Sequence, residues 1–234
     1  MLLQLEDIHT YYGKSHILFG ISLNIEKGEG VSLLGRNGAG KTTLFKSIMH
    51  LAPIKRGSIK FKETVISKKP AYEIASMGIG LVPQGRRVFV DLTVRENLEV
   101  VKKRSVPNDR DWTIDKLYEL FPILNKLDGR LADSLSGGEQ QMLAIARTLV
   151  GNPDLILLDE PSEGLGPLIV EALKESIEAA KKGDISVFLA EQNVKFALAI
   201  CNRSYIIEKG EVAWSGEAKD LVEDEEVKKR FLAI

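Results

Sequence analysis

Cysteine is almost absent from this sequence, because Cys201 is the single thiol among 234 residues. One thiol cannot form an internal disulfide, so the sequence argues against a fold built for an oxidising compartment. Cys201 follows the apolar residues 197–200. We therefore interpret it as a small buried hydrophobic residue rather than a reactive thiol.

An excess of charge of one sign and long apolar runs are also missing. The net charge of −1 excludes a bulk attraction to nucleic acid or anionic lipid, although not a local basic patch. No apolar run approaches the ~20 residues that a membrane-spanning helix needs. Residues 1–10 contain Glu6 and Asp7 and do not resemble a secretory signal. The sequence predicts a soluble cytoplasmic protein that reaches a membrane only through a separate membrane partner.

Short apolar runs alternate with longer helical patterns. Leu3, Leu5 and Ile8 predict a half-exposed strand. Compact apolar runs typical of buried parallel strands lie at residues 31–34, 79–82, 155–158 and 187–190. Helical patterns lie between them, for example at residues 42–50 and 168–182. This alternation predicts an α/β domain with a mainly parallel sheet.

The middle of the chain has a different pattern, with no convincing strand between residues 92 and 150. Thr93 and Glu96 have the spacing of a capping box that opens a helix. Residues 112–127 predict a second helix, interrupted by Pro122. We therefore predict a helical subdomain inserted into the α/β core.

The predicted boundaries give one domain over residues 1–234. Its nucleotide-binding core comprises residues 1–87 and 151–234, and the helical subdomain comprises residues 88–150. Near the C-terminus, Glu225 and Lys229, and Glu226 and Arg230, have the i,i+4 spacing of a solvated helix face.

Residues 35–42 read Gly-Arg-Asn-Gly-Ala-Gly-Lys-Thr and match the phosphate-loop pattern in full. Glycines let the backbone direct successive N–H groups at an anion, and the following helix adds the positive end of its dipole. Lys41 can reach the β- and γ-phosphates, and the Thr42 hydroxyl can ligate Mg²⁺. A glycine-rich turn without a ligand would not need the strand before it and the helix after it. The predicted nucleotide-binding residues of this loop are Asn37, Gly38, Ala39, Gly40, Lys41, Thr42 and Thr43.

Two carboxylates follow the apolar run 155–158. Ligand sites of open α/β sheets lie at the carboxyl ends of strands, which is where Asp159 and Glu160 are expected. Asp159 can orient Mg²⁺ through its water shell, and Glu160 can polarise a water in line with the γ-phosphate. Pro161 stops the strand. The alternative is a pair of solvated acids in a loop.

Residues 135–141 read Leu-Ser-Gly-Gly-Glu-Gln-Gln. Ser136 and Glu139 form a predicted capping box for a helix that runs to about Val150. Gly137 and Gly138 leave the N-terminus of this helix bare, so that its N–H groups can approach an anion. A simple helix cap does not require the whole string.

These three motifs together resemble the ATP-binding cassette (ABC) superfamily, and the resemblance covers essentially the whole chain. It implies an α/β P-loop ATPase core with an N-terminal antiparallel β region and an inserted α-helical subdomain. It also implies Mg²⁺-dependent hydrolysis of ATP in a head-to-tail dimer that holds two ATP molecules. In such a dimer, Ser136 and Gly138 would contact the γ-phosphate bound to the opposite subunit.

The resemblance assigns two further residues. Tyr12, just before Gly13, matches the aromatic residue that stacks on adenine, although from the sequence alone it could equally belong to the core. Gln84 matches the glutamine that touches Mg²⁺ or the attacking water and joins the core to the helical subdomain. The metal ligands implied are Thr42, Gln84 and Asp159.

The sequence departs from the family pattern at two places. Gln192 stands where most members have a histidine that contacts the γ-phosphate. A glutamine amide can hydrogen-bond phosphate but cannot carry a proton's charge near pH 7. We therefore expect Gln192 to position the γ-phosphate without acting as an acid or a base. Residues 164–167 read Gly-Leu-Gly-Pro, without the aspartate that usually bridges two subunits. Its absence puts symmetric communication between the two sites in doubt.

These departures, with the segments 83–89 and 118–122, resemble the shorter ATPase subunit of branched-chain amino-acid importers. The resemblance implies transmembrane permease subunits as partners, a second identical or related ATPase subunit, and indirectly a substrate-binding protein. It implies no nucleic acid, and a location on the inner face of the cell membrane through the permeases. Arg86 or Arg87 could contact such a partner, or both could be solvated.

Other functional hypotheses stay open at this point. Importers of urea or short amides have similar ATPase subunits. A non-transport regulatory ABC ATPase would not need Glu160, and a small-metabolite kinase has no use for the Ser136 motif. Ribosome-associated members usually carry two cassettes in one chain, and DNA-repair members carry a long coiled coil.

Overall fold

The computed structural model describes residues 1–102, 112–223 and 226. The predicted charge pairs near the C-terminus each include a residue outside these ranges. The described strands are β1 Leu3–Tyr12, β2 Ser15–Ile25, β3 Gly30–Leu34, β4 Ile54–Phe61, β5 Thr64–Val65, β6 Ile79–Val82, β7 Leu155–Asp159, β8 Ser186–Glu191, β9 Arg203–Glu208 and β10 Glu211–Glu217.

The described α-helices are α1 Lys41–Ile48, α2 Ala71–Ser76, α3 Val94–Lys102, α4 Ile114–Leu120, α5 Pro122–Lys126, α6 Gly137–Val150, α7 Pro167–Lys182, α8 Val194–Ile200 and α9 Ala218–Glu223. A short 3₁₀ turn, Ala132–Ser134, precedes α6.

The strands form two sheets. Strands β2, β1, β4 and β5 make an antiparallel sheet in that order. The other sheet has the order β10-β9-β3-β8-β7-β6, in which only the edge strand β10 pairs antiparallel. The α/β prediction and the mainly parallel sheet are confirmed. The four apolar runs chosen from the sequence form β3, β6, β7 and β8, which lie side by side.

Strand β1 departs from strict alternation at Asp7. Leu5 pairs with Leu23 of β2 whereas Ile8 pairs with Ile21, so the two residues between them on β1 lie opposite one residue of β2. Asp7 is the extra residue and has a φ of 52°. The bulge keeps Leu5 and Ile8 on one buried face although they are three residues apart.

Both capping boxes expected from the sequence are formed. The Thr93 hydroxyl accepts from the Glu96 N–H at 3.2 Å, and the Glu96 carboxylate accepts from the Thr93 N–H at 2.8 Å. Ser136 and Glu139 make the equivalent pair at the start of α6, at 3.4 and 2.7 Å. The helix predicted over residues 112–127 is divided, because Pro122 can begin α5 but cannot continue α4.

Two hydrophobic clusters cover the two faces of the parallel sheet. One contains β1, β2 and α1 side chains and includes Phe45 against Phe188, with ring centroids 5.0 Å apart. The other joins sheet residues such as Ile156 and Leu158 to Leu143 of α6. Between β6 and β7 the described segments form α3 to α6, and they share this second core with the sheet. The boundaries of a separate helical subdomain stay a prediction.

The described helices include none that is long and apolar enough to cross a membrane. Cys201 is buried, and burial raises the pKa of its thiol to about 12. This agrees with its interpretation as a small buried hydrophobic residue.

Candidate active site

The phosphate loop connects β3 to α1, as its chemistry requires. Gly38 and Gly40 have φ angles of 80° and 116°, a region that favours glycine. A Cβ atom added at Gly40 would lie 2.9 Å from the Leu18 side chain, so the turn is also sterically closed to larger residues. The Lys41 ammonium folds back over the loop and donates to the carbonyl oxygens of Gly35 at 2.7 Å and Arg36 at 3.2 Å.

Lys41 also forms an ion pair with Glu160, with 2.9 Å between Nζ and Oε1. The two side chains are only 4% and 10% exposed, so the pair is nearly removed from water. Both line a cavity of about 260 Å³ beside the loop. Its lining residues are Ile17, Asn37, Gly38, Gly40, Lys41, Thr42, Thr43, Gln84 and Glu160. The structure thus brings most of the predicted loop residues together with Glu160.

Asp159 ends β7 and is almost fully buried. Its Oδ1 accepts a hydrogen bond from the Thr42 hydroxyl at 3.1 Å. Burial raises the pKa of Asp159 above its ordinary value, against the Thr42 bond, which lowers it, and the charge of Glu160 raises it further. The three residues expected to serve a metal, Thr42, Gln84 and Asp159, line one cavity of about 310 Å³.

Gln84 lies on the segment after β6 and reaches across to the turn after β7. Its amide nitrogen donates to Glu163 Oε2 at 2.7 Å and to Glu160 Oε2 at 3.2 Å. Glu160 therefore has a cation on one carboxylate oxygen and an amide on the other. Glu160 also has a φ of 49°, a left-handed backbone that costs free energy in a residue with a side chain. Such strain is typical of functional turns.

Gln192 follows β8 and is exposed. It lines a further cavity of about 330 Å³ that also contains Glu160, Ser162, Glu163, Glu191 and Asn193. The structure thus places Gln192 beside Glu160, and Glu160 lines both this cavity and the one at the phosphate loop.

Four other predicted site residues are not among the lining residues of the cavities described above. Ser136 and Gly138 lie at the start of α6, where a Cβ on Gly138 would lie 2.8 Å from Ile169. Tyr12 ends β1 and is 44% exposed, so the alternative of a core position is wrong and adenine stacking stays a prediction. Ala39 is buried within the loop.

The sequence did not single out Ile17 or Glu163. Ile17 is an ordinary apolar residue of β2, and Glu163 is recognised only through the hydrogen bond it accepts from Gln84. The Arg86 guanidinium lies against Gly137 of α6, and the Arg87 carbonyl accepts from Arg147 at 2.6 Å. These are contacts within the chain, and a contact with a partner stays a prediction.

Comparisons with known proteins agree with this geometry. The profile of the ABC transporter family matches residues 18–163. The chain is 39% identical over 231 residues to the high-affinity branched-chain amino acid transport ATP-binding protein BraG of Pseudomonas aeruginosa, covering 99% of each chain. It is 36% identical over 234 residues to the lipopolysaccharide export system ATP-binding protein LptB of Haemophilus influenzae, covering 99% of this chain and 97% of LptB.

A solved structure shows the same fold. It is the ADP conformation of MJ1267, an ATP-binding cassette of an ABC transporter, with a TM-score of 0.82 and 26% identity over 97% of both chains. The chain therefore belongs to the ABC transporter family, and it is an ATP-binding subunit that hydrolyses ATP. The P-loop ABC ATPase fold expected from the sequence is confirmed.

Proposed function

We propose that this chain powers the uptake of branched-chain amino acids as one ATPase subunit of an importer. The similarity to BraG, which extends over 99% of both chains, carries the proposal. The motif set of Gln192, residues 164–167 and residues 83–89, which resembles such subunits, also supports it. The chain would work in a dimer with an identical or related ATPase, beneath transmembrane permease subunits that receive solute from a substrate-binding protein.

In the proposed reaction, the loop amides and Lys41 hold the phosphates of ATP. Lys41 is at present shared between two loop carbonyls and Glu160. An incoming γ-phosphate would compete for Lys41 and release the Glu160 carboxylate to accept a proton from the attacking water. Gln192 would position the γ-phosphate, and Tyr12 would stack on adenine.

The residues present fit a Mg²⁺ ion that accompanies ATP. Thr42, Gln84 and Asp159 offer a hydroxyl, an amide and a carboxylate oxygen to one cavity, and Mg²⁺ prefers oxygen ligands. When bound, the ion would neutralise charge that develops on the phosphates. Ser136 and Gly138 would act on the nucleotide of the partner subunit.

Glu160→Gln tests the chemical step. The variant keeps the shape of the side chain but removes the proton acceptor, so we expect ATP turnover to fall by about 10²- to 10⁴-fold. ATP binding should survive, and the variant should accumulate as a closed dimer in size-exclusion chromatography with ATP. Glu208→Gln makes the same charge change at an exposed position outside the site and should keep native turnover. Equal turnover by Glu160→Gln and the native chain would show that Glu160 is not the base.

A second candidate is an exporter subunit, because the similarity to LptB also covers nearly all of both chains. Radiolabelled leucine uptake in a host that lacks this gene and parallel leucine importers separates the two. We expect the native gene to restore uptake and Glu160→Gln to fail, while uptake of an unrelated sugar stays constant. Restoration of lipopolysaccharide at the cell surface without leucine uptake would favour export. If neither leucine uptake nor lipopolysaccharide export is restored, urea and short amides become the next candidate substrates.

A further inference from the structure

Glu191 is a buried carboxylate that the reaction described above does not use. It is the last residue of β8 and is 2% exposed. β8 pairs in parallel with β7, where Ala190 lies opposite Asp159. Glu191 therefore lies where two turns begin, one that carries Glu160 after β7 and one that carries Gln192 after β8.

The two carboxylate oxygens of Glu191 accept from different turns. Oε1 accepts from the Ser162 N–H at 3.0 Å. Oε2 accepts from the N–H groups of Gln192 and Asn193, both at 3.1 Å. A single side chain thus fixes the backbone of both turns.

The neighbouring backbone supports the same arrangement. The Glu160 N–H donates to the Ala190 carbonyl oxygen at 2.9 Å, so Glu160 is bonded to the residue that precedes Glu191. Glu160 and Gln192 line the same cavity, together with Glu191. The position of one turn relative to the other is therefore set by bonds that meet at the end of β8.

A carboxylate suits this position better than an amide. Every backbone partner is an N–H donor, and a carboxylate offers acceptors on both oxygens, whereas a glutamine amide would present its own N–H groups to one turn. Burial raises the pKa of Glu191 above its ordinary value, while the bonds from Ser162 and the turn amides oppose the rise. Burying an acid without these donors would be strongly unfavourable.

We propose that Glu191 is a positioning residue for ATP hydrolysis, which holds the turn that carries Glu160 and the turn that carries Gln192 in a fixed relative position. The proposal rests on the roles proposed above for Glu160 and Gln192. Glu191 touches neither nucleotide nor water in this scheme, and acts through the two turns. Its loss should slow the chemical step more than it weakens nucleotide binding, because the phosphate loop is held by separate bonds.

Steady-state kinetics of Glu191→Gln tests the proposal. We expect kcat to fall roughly tenfold with KM for ATP within about twofold of the native value, because small misplacements of reacting groups cost rate. Glu208→Gln is the matched control and should change neither constant. Thermal unfolding establishes that each variant is folded. If Glu191→Gln does not fold, Glu191→Asp keeps the charge but is one methylene too short to hold both turns, and should show a smaller loss of kcat. Native kcat in the folded variant would overturn the proposal.

A double-mutant cycle separates positioning from general stabilisation. In the Gln192→Ala background, Glu191→Gln should lower kcat less than about threefold, because part of what it positions is already gone. The full tenfold loss in both backgrounds would show that Glu191 does not act through Gln192. Native turnover by both Glu160→Gln and Gln192→Ala would instead overturn the roles proposed for those residues. If Glu160→Gln and Gln192→Ala lose turnover but Glu191→Gln keeps native kcat, only the positioning role of Glu191 is overturned.

Discussion

The charged side chains at the two ends of the parallel sheet are paired differently. At the amino end, Arg203 donates to both carboxylate oxygens of Glu29 at 2.7 and 2.9 Å, to the Asn24 carbonyl at 2.7 Å and to the Tyr205 hydroxyl at 2.7 Å. These bonds, with that to Glu29 the strongest, raise the pKa of Arg203. At the carboxyl end, Asp159 and Glu191 have raised pKa values because they are buried.

The difference supports the proposal that the ligand binds at the carboxyl end. The amino-end network contains one cation and one carboxylate with neutral acceptors around them, so it is complete in itself. The carboxyl end places Asp159 and Glu160 near the buried ammonium of Lys41 and adds the buried carboxylate of Glu191 at the end of β8. That excess of acid supports the proposal that ATP binds together with a divalent cation rather than as a bare anion.

Among the changes that test this comparison, the largest effect is expected from Lys41→Ala at the carboxyl end. It removes the buried ammonium that would stabilise the phosphates, and the loss of one such preorganised group costs about 10²- to 10³-fold in kcat. ATP turnover measures the effect. Lys27→Ala removes an exposed lysine between β2 and β3, at the amino end of the sheet, and should leave turnover native. If the two variants hydrolyse ATP equally, the carboxyl end does not hold the phosphates through Lys41.

At the amino end, Arg203→Ala should reduce stability without reducing turnover. It removes the guanidinium donors from Glu29, Asn24 and Tyr205, although Glu29 keeps the Glu26 N–H and Asn24 keeps the Tyr205 hydroxyl. We expect the loss to cost about 2 kcal/mol of unfolding free energy. For a chain of this size that lowers Tm by roughly 4–8 °C, measurable by calorimetry. Turnover per folded molecule at 25 °C should remain native. Arg203→Lys keeps the charge but loses the planar fork, so an intermediate Tm is expected. A selective loss of kcat in Arg203→Ala would contradict the comparison.

The smallest effect is expected from a thiol reagent directed at Cys201, which precedes β9 at the amino end. Its thiol pKa of about 12 lies well above the ordinary value, so the thiol is neutral at pH 8 and ionises only as the pH rises toward 12. We expect an aromatic disulfide reagent at pH 8 to leave the native thiol and ATP turnover unchanged, and to label the urea-unfolded chain rapidly. Full labelling of the folded chain within minutes would show that this end of the sheet opens readily.

Sequence reasoning worked best where local chemistry determines structure. The phosphate loop, the capping boxes and the four buried strands depend on residues close together in the chain, and the structure contains them all. The acidic pair was placed correctly because the carboxyl ends of parallel strands meet at one edge.

Other features depend on residues far apart in the sequence. Glu29 and Arg203 are 174 positions apart, and nothing in either neighbourhood indicates the other. Glu191 looks like a polar residue at the end of an apolar run until Ser162 is placed beside it. Strand β9 also went unpredicted, and so did β10, which alternates between exposed and partly buried residues without a strongly apolar pattern.

The bulge in β1 has a consequence for changes in chain length. Removal of Asp7 would leave Leu3, Leu5, Ile8 and Thr10 in perfect alternation, so every inward side chain would stay inward. A deletion between Ile8 and Thr10 would instead turn the residues on one side of it to the opposite face of the sheet. Strand β1 can thus lose one residue at Asp7 while its buried side chains stay on the same face of the sheet. Insertions and deletions in related chains should therefore be tolerated there more readily than elsewhere in the strand.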